Sequence, residues 1–274
     1  MTETETLHKE AMDMLLATSR TFFIPIHHLP SGLQEAIASA YLCMRAIDEI
    51  EDHPTLPSDI KIRLLRSISS LLEESAEAAA LTQLLQPYHA LLPDVTLRLA
   101  DWIKLSPSTI TPNILKATAT MSTGMADWVA KEWKITSEED LDDYTFYVAG
   151  LVGILLSEVW KWFNSEVETD PELAVAFGRG LQAVNIIRNR DEDLVRGSDF
   201  FPDGWTRDDM FAYARRNLEL ANQYVSDIDS SPVLTFCRIP LLLAHGTLDA
   251  LERGEEKLSR AAVESLVSQV TEGK

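Results

Sequence analysis

The stretch LQEAIASAYLCMRAIDEIED, residues 33–52, decides the fold class of this chain. Its apolar residues recur three and four positions apart, which is the period of an amphipathic α-helix, so the stretch predicts a helix from Gly32 to Glu51. Almost every other long segment has the same period, and none shows the sustained strict alternation of a half-buried strand. The sequence therefore predicts an all-α protein.

Ten further helices are predicted on the same grounds, with a break at Pro87 and capping signals at Ser58, Ser137 and Thr206. Pro and Gly residues fall mostly between the helices, and no linker or repeat divides the chain. Residues 1–274 are therefore predicted to form a single-domain helical bundle. The ten helices are Glu5–Arg20, Ser58–Ala80, Leu81–Leu91, Asp94–Leu105, Thr111–Trp133, Ser137–Phe163, Pro171–Asp193, Thr206–Asp227, Pro232–Arg253 and Ser259–Thr271.

The composition excludes some classes of partner. The chain has 274 residues, of which 46% are hydrophobic, and this is enough to bury one sizeable core. It has 24 Lys and Arg residues and 43 Asp and Glu residues, which gives a formal net charge of −19. Such an excess disfavours nucleic acid as a partner, because long-range repulsion opposes the approach of a polyanion. A ligand that bears phosphate would need local cations or a bound metal.

The sequence also predicts a compartment. The N-terminus has neither the cationic nor the apolar region of a secretory signal. The most apolar stretch, Tyr147–Leu156, is interrupted by Ser157 and Glu158 after about ten residues, fewer than the ~20 that span a bilayer. Cys43 and Cys237 lie far apart in apolar segments and fit reduced core residues. We expect a cytoplasmic protein without a transmembrane anchor.

A first polar stripe runs along the helix of residues 33–52. Its members share a ~60° wedge of the helix, while Glu49 and Glu51 are predicted to point away from it. Two carboxylates one turn apart on a buried helix are costly unless a hard cation such as Mg²⁺ neutralises them. The alternative is a charged helix end that is exposed and solvated. The stripe consists of Tyr41, Arg45, Asp48 and Asp52.

A second polar stripe lies on a later helix, where Val184, Ile186 and Ile187 cover the other sides. The alternative here is an ordinary amphipathic helix with charge pairs one turn apart. Two such stripes together favour a central cavity in which Mg²⁺ and cations hold a diphosphate, and aromatic faces stabilise a carbocation. The second stripe consists of Asn185, Arg188, Asn189, Glu192 and Asp193. Lys257 or Arg260 would neutralise the phosphate charge that remains.

The motifs, taken in order, resemble the squalene/phytoene synthase family, and within it the squalene synthase branch most. They cover most of the chain from Ser19 to Pro240, and agreement at so many ordered sites does not arise by chance. The motifs are Ser19-Arg20-Thr21-Phe22, Tyr41 to Asp52, Gly124-Met-Ala126, Tyr144 to Gly153, Leu181 to Arg188, and Phe236 to Pro240.

The resemblance implies the isoprenoid synthase fold and a Mg²⁺-dependent prenyltransferase. Such an enzyme condenses two farnesyl or two geranylgeranyl diphosphates head to head. Carried over by position, the metal ligands are Asp48, Asp52, Asn189 and Asp193. The diphosphate-binding residues are Ser19, Arg20, Arg45, Asn185 and Arg188, to which the charge argument adds Arg260. The catalytic residues are Tyr41, Tyr144, placed beside the reacting cation, and Phe236, near the later rearrangement.

One departure from the family keeps other functions open. The second motif normally opens with Asp, and Asn189 stands there, a neutral ligand of weaker metal affinity. Beside C30 or C40 synthesis, with farnesyl diphosphate favoured, a diverged enzyme would prenylate a small aromatic acceptor, cyclise its substrate or hydrolyse the diphosphate. A catalytically inactive helical partner is the third hypothesis.

Three properties do not follow from these residues. No Gly-rich dinucleotide motif is present, but the family does not use one, so the sequence neither supports nor excludes NADPH. Peripheral membrane contact for product release is compatible with the sequence. The oligomeric state is not determined by it.

Overall fold

The computed structural model of the chain describes residues 2–74 and 77–271. These residues form fourteen α-helices and no strand, which confirms the predicted all-α class. The chain divides into two compact units, residues 1–132 and residues 133–274. The single-domain organisation stays a prediction.

The first unit is built around α3, which contacts α1, α2, α4, α6, α7 and α8. Most of α3 is buried, including Leu42, Ile47 and Ile50, whose apolar side chains face the other helices. The unit contains α1 (Glu3–Thr18), α2 (Arg20–His27), α3 (Leu33–Glu51), α4 (Ser58–Glu74), α5 (Ala78–Leu85), a 3₁₀ turn (Gln86–Tyr88), α6 (Asp94–Leu97), α7 (Leu99–Leu105) and α8 (Thr111–Ala130).

The α4–α8 pair of the first unit is joined by buried hydroxyls as well as by apolar packing. Ser69 Oγ donates to the carbonyl of Ala119 at 2.9 Å, and Ser122 Oγ donates to the carbonyl of Leu65 at 2.7 Å. Each small hydroxyl is satisfied across the helix interface, which avoids the cost of a buried unpaired polar group. The contact therefore fixes the two helices in one register.

The first unit differs from the prediction at one end of a helix that matters for the site. The first helix ends at Thr18 rather than Arg20, because Ser19 is extended and its hydroxyl accepts from the N–H of Phe22 at 3.2 Å. Ser19 thereby caps a second helix, Arg20–His27, which the sequence pattern did not predict. Arg98, with φ −99° and ψ 18°, likewise divides the predicted helix Asp94–Leu105 in two. The break predicted at Pro87 is confirmed by the 3₁₀ turn.

The second unit consists of α9 (Glu138–Thr145), a π-helical turn (Phe146–Gly150), α10 (Leu151–Phe163), α11 (Pro171–Val195), α12 (Arg207–Ser226), α13 (Ser231–Glu252) and α14 (Arg260–Thr271). The predicted caps are confirmed, because the hydroxyls of Ser137 and Thr206 accept from the backbone N–H of Asp140 and Asp209. The predicted helix Ser137–Phe163 is continuous but contains the π-helical turn, a distortion often found at functional sites.

Two glycines bring the backbones of this distorted helix and α11 into direct contact. A Cβ on Gly153 would lie 1.9 Å from the carbonyl oxygen of Ala174, and a Cβ on Gly178 would lie 2.1 Å from that of Ala149. No side chain fits at either position, so only glycine permits this approach. The helix that bears Tyr144 is therefore fixed against the helix that bears the second stripe.

A buried polar network holds the start of the π-helical turn. The hydroxyl of Tyr213, on α12, donates to Asp142 Oδ1 at 2.6 Å, and Arg179 Nη2 donates to the carbonyl of Asp142 at 2.9 Å. Tyr213 is 1% exposed, and its burial raises its pKa, so the hydroxyl keeps its proton for this bond. Asp142 thus ties α9 to α11 and α12.

Two helical stretches are long and apolar enough to cross a membrane, judged by length and composition alone. They are Glu138–Phe163, with a mean hydropathy of 1.3, and Ser231–Glu252, with a mean hydropathy of 1.2. Ser157 and Glu158 do not end the first stretch, because Ser157 Oγ donates to the carbonyl of Gly153 within the helix. Core helices of globular proteins share these properties, and 61% of the second window is buried. The absence of a transmembrane anchor stays a prediction.

Candidate active site

An acidic cluster occupies the end of α3. Carboxylate oxygens of Asp48, Glu51 and Asp52 all lie within 4.8 Å of one another. Glu51 is only 3% exposed, whereas Asp48 is half-buried and Asp52 is exposed. A donor set made entirely of carboxylate oxygens suits a hard divalent cation such as Mg²⁺. The cluster can therefore hold a metal ion that neutralises its charge.

Glu51 is a member of this cluster that the sequence analysis missed. Glu49 and Glu51 lie to either side of the predicted wedge, but their carboxylates reach members of the stripe. Glu51 lies three residues after Asp48, so the two are neighbours on the helix surface, and Glu49 reaches Arg45 four residues before it. The three-residue spacing of Asp48 and Glu51 is present in the sequence. The prediction did not use it, because it considered only residues on the same helix face as Tyr41.

Arg45 joins two carboxylates of its own helix. Its Nη1 donates to Asp48 Oδ2 and its Nη2 donates to Glu49 Oε1, both at 2.5 Å. Its Nε is buried and has no hydrogen-bond partner among the described residues. Burial lowers the pKa of Arg45, but the charges of Asp48 and Glu49 outweigh this and raise it. Arg45 therefore stays a cation.

The acidic cluster changes the ionisation of Asp48. Burial and the nearby carboxylate of Asp52 raise the pKa of Asp48 to about 7, and Arg45 only partly opposes this. A carboxyl group with this pKa is about half protonated at pH 7. Binding of a divalent cation would reverse the shift, since the cation favours the carboxylate.

Lys61, on α4, braces the last turn of α3. Its Nζ donates to the carbonyl of Glu51 at 2.5 Å, and the residue is 6% exposed. Burial lowers the pKa of Lys61, while the charges of Glu51 and Asp52 raise it. A cation at a helix C-terminus is favourable, because the free carbonyls there carry partial negative charge. No pattern in the sequence singled out this lysine.

Ser19 and Tyr41 meet at the start of the stripe. The ring of Phe22, whose N–H donates to the Ser19 hydroxyl, lies 5.7 Å from the ring of Tyr41 between centroids. Burial raises the pKa of Tyr41, although Ser19 and the charge of Arg45 oppose this. The side chain of Arg20 falls outside the described part of the structure, so its predicted role stays a prediction.

The second stripe lies on α11, as predicted. Val184, Ile186 and Ile187 are buried behind it, whereas the polar side chains remain half-buried or exposed. Arg188 Nε donates to Asn189 Oδ1 at 3.1 Å, so the oxygen predicted as a metal ligand already has a cationic partner. The second stripe is thus present, but the side-chain oxygen of Asn189 already accepts a hydrogen bond from the guanidinium of Arg188.

Two of the predicted aromatic residues, Tyr144 and Phe236, lie inside the second unit. Tyr144 is 5% exposed and stacks on Phe200, with ring centroids 4.8 Å apart. Phe236 is 3% exposed and meets Trp160 edge to face at 5.2 Å. Phe200 lies in the loop after α11, where no periodicity marks a residue, and the sequence analysis did not single it out.

Arg260, another predicted diphosphate-binding residue, lies in the first turn of α14. Its side chain is 93% exposed, and its Nε pairs with Glu264 Oε1 at 3.0 Å on the same helix. An exposed pair of this kind contributes little to stability. The structure gives the prediction for Arg260 no support.

The structure brings the predicted residues together within each unit. In the first unit it joins Arg45 to Asp48, places Asp52 beside Asp48, and brings Ser19 near enough to Tyr41 to oppose the rise in the pKa of that tyrosine. In the second unit it places Asn185, Arg188, Asn189 and Asp193 on one face of α11. The central cavity shared by both stripes stays a prediction.

Comparison with known proteins gives one family. A family model described as squalene/phytoene synthase matches residues 15–210. The squalene synthase of Schizosaccharomyces pombe is 30% identical over 283 residues, which covers 90% of this chain and 60% of the relative. The human squalene synthase is 31% identical over 280 residues, with 90% and 64% covered. The match thus spans less than two thirds of the length of these relatives.

Solved structures give the same fold. A ligand complex of TcSQS superposes with a TM-score of 0.81 at 23% identity, covering 97% of this chain and 86% of that one. A dehydrosqualene synthase in complex with a ligand gives a TM-score of 0.53 at 19% identity, covering 99% and 97%. The helices described above are therefore arranged as in this structural class, which confirms the predicted isoprenoid synthase fold.

Proposed function

Because this chain belongs to the squalene/phytoene synthase family, we propose that it condenses two allylic prenyl diphosphates head to head, with farnesyl diphosphate as the favoured substrate and Mg²⁺ as cofactor. The observation that carries the proposal is the cluster of Asp48, Glu51 and Asp52 oxygens within 4.8 Å. Similar squalene synthases support the choice of a C30 product.

The acidic cluster fits the metal. Three carboxyl groups gather at one helix end, and the ammonium of Lys61 offsets only part of their negative charge, so a hard divalent cation would be favoured there. Mg²⁺ bound by these oxygens would hold the diphosphate and stabilise it as a leaving group. The side chains of Asp48, Glu51 and Asp52 supply oxygen ligands, and Lys61 fixes the turn from which two of them project.

Arginine and hydroxyl groups would bind the phosphate oxygens. The guanidinium of Arg45 has a buried Nε without a hydrogen-bond partner among the described residues, and Arg188 is exposed on α11. Guanidinium groups bind phosphate through several N–H donors in a fixed plane. Ser19, next to Tyr41, supplies a hydroxyl on the first unit, and Asn185 supplies a carboxamide on the second.

The hydrocarbon chemistry requires a dry aromatic environment. The C–O bond of one prenyl diphosphate breaks, the diphosphate leaves with the electron pair, and an allylic cation remains. The double bond of the second substrate attacks this cation, and a proton is lost. Tyr144, almost fully buried, would stabilise the cation through its aromatic ring, and Phe236 would act in the later rearrangement.

One observation favours a second function. Asn189 stands where the family's second motif opens with Asp, and its oxygen accepts from Arg188. A weaker second metal site would slow the condensation and leave the first cation to other acceptors. The alternative is a diverged enzyme that prenylates an aromatic acceptor, cyclises its substrate or releases a prenyl alcohol.

One assay separates these functions. Purified protein is incubated with Mg²⁺ and farnesyl or geranylgeranyl diphosphate, with and without NADPH, and products are identified by mass spectrometry. A C30 product supports the proposal, and its dependence on NADPH measures the role of that cofactor. Farnesol or a cyclic C15 product would favour the diverged enzyme. Absence of prenyl diphosphate binding would leave only a non-catalytic partner.

We also propose that the protein works in the cytoplasm. Cys43 and Cys237 are both free and buried, as expected of a protein in a reducing compartment. Cell fractionation with and without high salt tests this location, and recovery in a membrane pellet that resists salt would contradict it.

A further inference from the structure

The loop after α11 places an aromatic ring against Tyr144. The rings of Phe200 and Tyr144 are 4.8 Å apart between centroids, and their planes differ by 18°. Rings stacked at this distance attract each other beyond the effect of burial alone, and each restricts the rotation of the other. The orientation of Tyr144 therefore depends on where the loop holds Phe200.

Arg190 binds this loop to α11 next to Phe200. Its Nη2 and Nε donate to the two carboxylate oxygens of Asp199 at 2.9 and 3.3 Å. The same guanidinium lies 3.7 Å from the ring centroid of Phe201, which is 5% exposed. Arg190 thus combines a bidentate hydrogen bond to Asp199 with a stack on Phe201, and a lysine cannot make both contacts.

The backbone of the loop is also fixed on both sides of Phe200. Asp199 Oδ1 accepts from the N–H of Phe201 at 3.1 Å. Before it, the N–H of Ser198 donates to the carbonyl of Asp193 at 3.0 Å, and Gly197, with φ 89°, allows the chain to reverse. The loop is thus attached to the last turns of α11, which carry the second stripe.

From these contacts we propose that Phe200 is a positioning residue for Tyr144 and that Arg190 holds the loop that presents it. The inference rests on the proposed function, in which Tyr144 lies beside the prenyl cation. Phe200 and Arg190 act through Tyr144 and take no part in the chemical step themselves. Through Phe200 and Arg190, the last turns of α11 determine the orientation of the Tyr144 ring.

A spectroscopic test needs neither substrate nor metal. The protein is labelled with 3-fluorotyrosine, and the ¹⁹F resonance of Tyr144 is assigned with Tyr144→Phe. We expect Phe200→Ala to shift this resonance, because the ring current of the stacked phenyl group is lost. Arg190→Lys should shift it in the same direction although Arg190 does not stack on Tyr144. A Tyr144 resonance that stays in place in either folded variant overturns the corresponding half of the proposal.

Kinetics test the consequence for the reaction. Phe200→Ala should lower kcat about tenfold or more, as expected when a reacting group is displaced, and leave the KM for farnesyl diphosphate nearly unchanged. Phe200→Tyr, which keeps an aromatic ring for the stack, should restore kcat. A raised KM at unchanged kcat would overturn the proposal, because Phe200 would then contact substrate.

A matched control separates positioning from general damage. Phe163, at the end of α10, is 38% exposed, so Phe163→Ala removes an equal volume away from Tyr144. We expect this variant to keep the wild-type kcat and the wild-type Tyr144 resonance. If the wild type itself forms no C30 product, the proposed function fails, while the fluorine spectra still decide the role of Phe200.

Discussion

Arg45 and Asp48 form an ion pair one turn apart on α3, with Nη1 and Oδ2 at 2.5 Å. A protein cation therefore already occupies one oxygen of a carboxylate that we propose as a metal ligand. A divalent cation must share Asp48 with Arg45 or displace it. The pair makes metal affinity and phosphate binding depend on the same guanidinium.

Replacing Arg45 should separate these two effects. Arg45→Gln removes the competing charge, so we expect the affinity for Mg²⁺ without substrate to rise about fivefold, equivalent to about 1 kcal/mol. Turnover should nevertheless fall by tenfold or more, because a phosphate-binding group is lost. Isothermal titration calorimetry and steady-state kinetics measure the two quantities. Weaker Mg²⁺ binding in Arg45→Gln would contradict the competition.

Asp48→Asn tests the acidic cluster directly. The substitution removes one of three clustered charges, and we expect Mg²⁺ binding and Mg²⁺-dependent turnover to be lost. Asp59→Asn, at an exposed position in the first turn of α4, is the matched control and should keep both. Full activity of Asp48→Asn would remove the cluster from the mechanism.

The raised pKa of Asp48 predicts how stability depends on pH. Its pKa is about 7 in the folded protein and near the ordinary value of 3.8 in the unfolded chain. Between these values the folded state holds a proton that the unfolded state has lost, so the metal-free protein loses stability as pH rises from about 4 to 7. Above pH 7 this contribution is constant.

Denaturant unfolding in the presence of EDTA at pH 5 and pH 8 measures this effect. Asp48→Asn should show a smaller loss of unfolding free energy between the two pH values than the wild type. In contrast, the affinity of the wild type for Mg²⁺ should increase as pH rises through 7, since the cation competes with the proton. Equal pH dependence of stability in both proteins would refute the assignment to Asp48.

Asn189→Asp tests the departure from the family in the second stripe. A carboxylate here adds charge next to Arg188, and we expect tighter binding or a larger number of Mn²⁺ ions in titrations followed by electron paramagnetic resonance. Asn185→Asp, one turn earlier on the same face, controls for added charge alone. If neither metal stoichiometry nor product changes in Asn189→Asp, Asn189 does not explain any divergence.

The backbone contact at Gly178 predicts a large effect on stability. Gly178→Ala would place a methyl group 2.1 Å from the carbonyl oxygen of Ala149, so the helices must separate, at a cost of about 1–3 kcal/mol. Gly246→Ala is the control, because its methyl group would meet only the flexible ends of two side chains, Leu266 at 3.0 Å and Leu258 at 3.4 Å. Thermal unfolding compares the two variants; equal melting temperatures would show that the helices can move apart freely.

The sequence predicted the parts of the site that lie on one helix. Asp48 and Asp52 are one turn apart on α3, and a helical period is enough to place them on one face. The same holds for the stripe on α11. Both stripes depend only on local geometry, which is why the predicted faces agree with the structure.

Residues whose roles depend on tertiary contacts were not predictable in this way. Lys61 reaches Glu51 from another helix, and Phe200 reaches Tyr144 from a loop without periodicity. The helix after Ser19 was missed for a related reason: a Ser cap is a weak signal when the next turns contain Pro25. Its position is fixed by the hydroxyl bond to Phe22 and the contact with Tyr41.

The hydroxyl of Ser19 has one proton and two lone pairs. One lone pair accepts from the N–H of Phe22, so the cap of α2 leaves one acceptor site and one donor. A hydroxyl proton cannot point at the N–H group from which the same oxygen accepts, so the single proton of Ser19 is directed away from the amide of Phe22. The residue that caps α2 is thereby also a hydrogen-bond donor, and a phosphate oxygen is the kind of acceptor that this donor can serve.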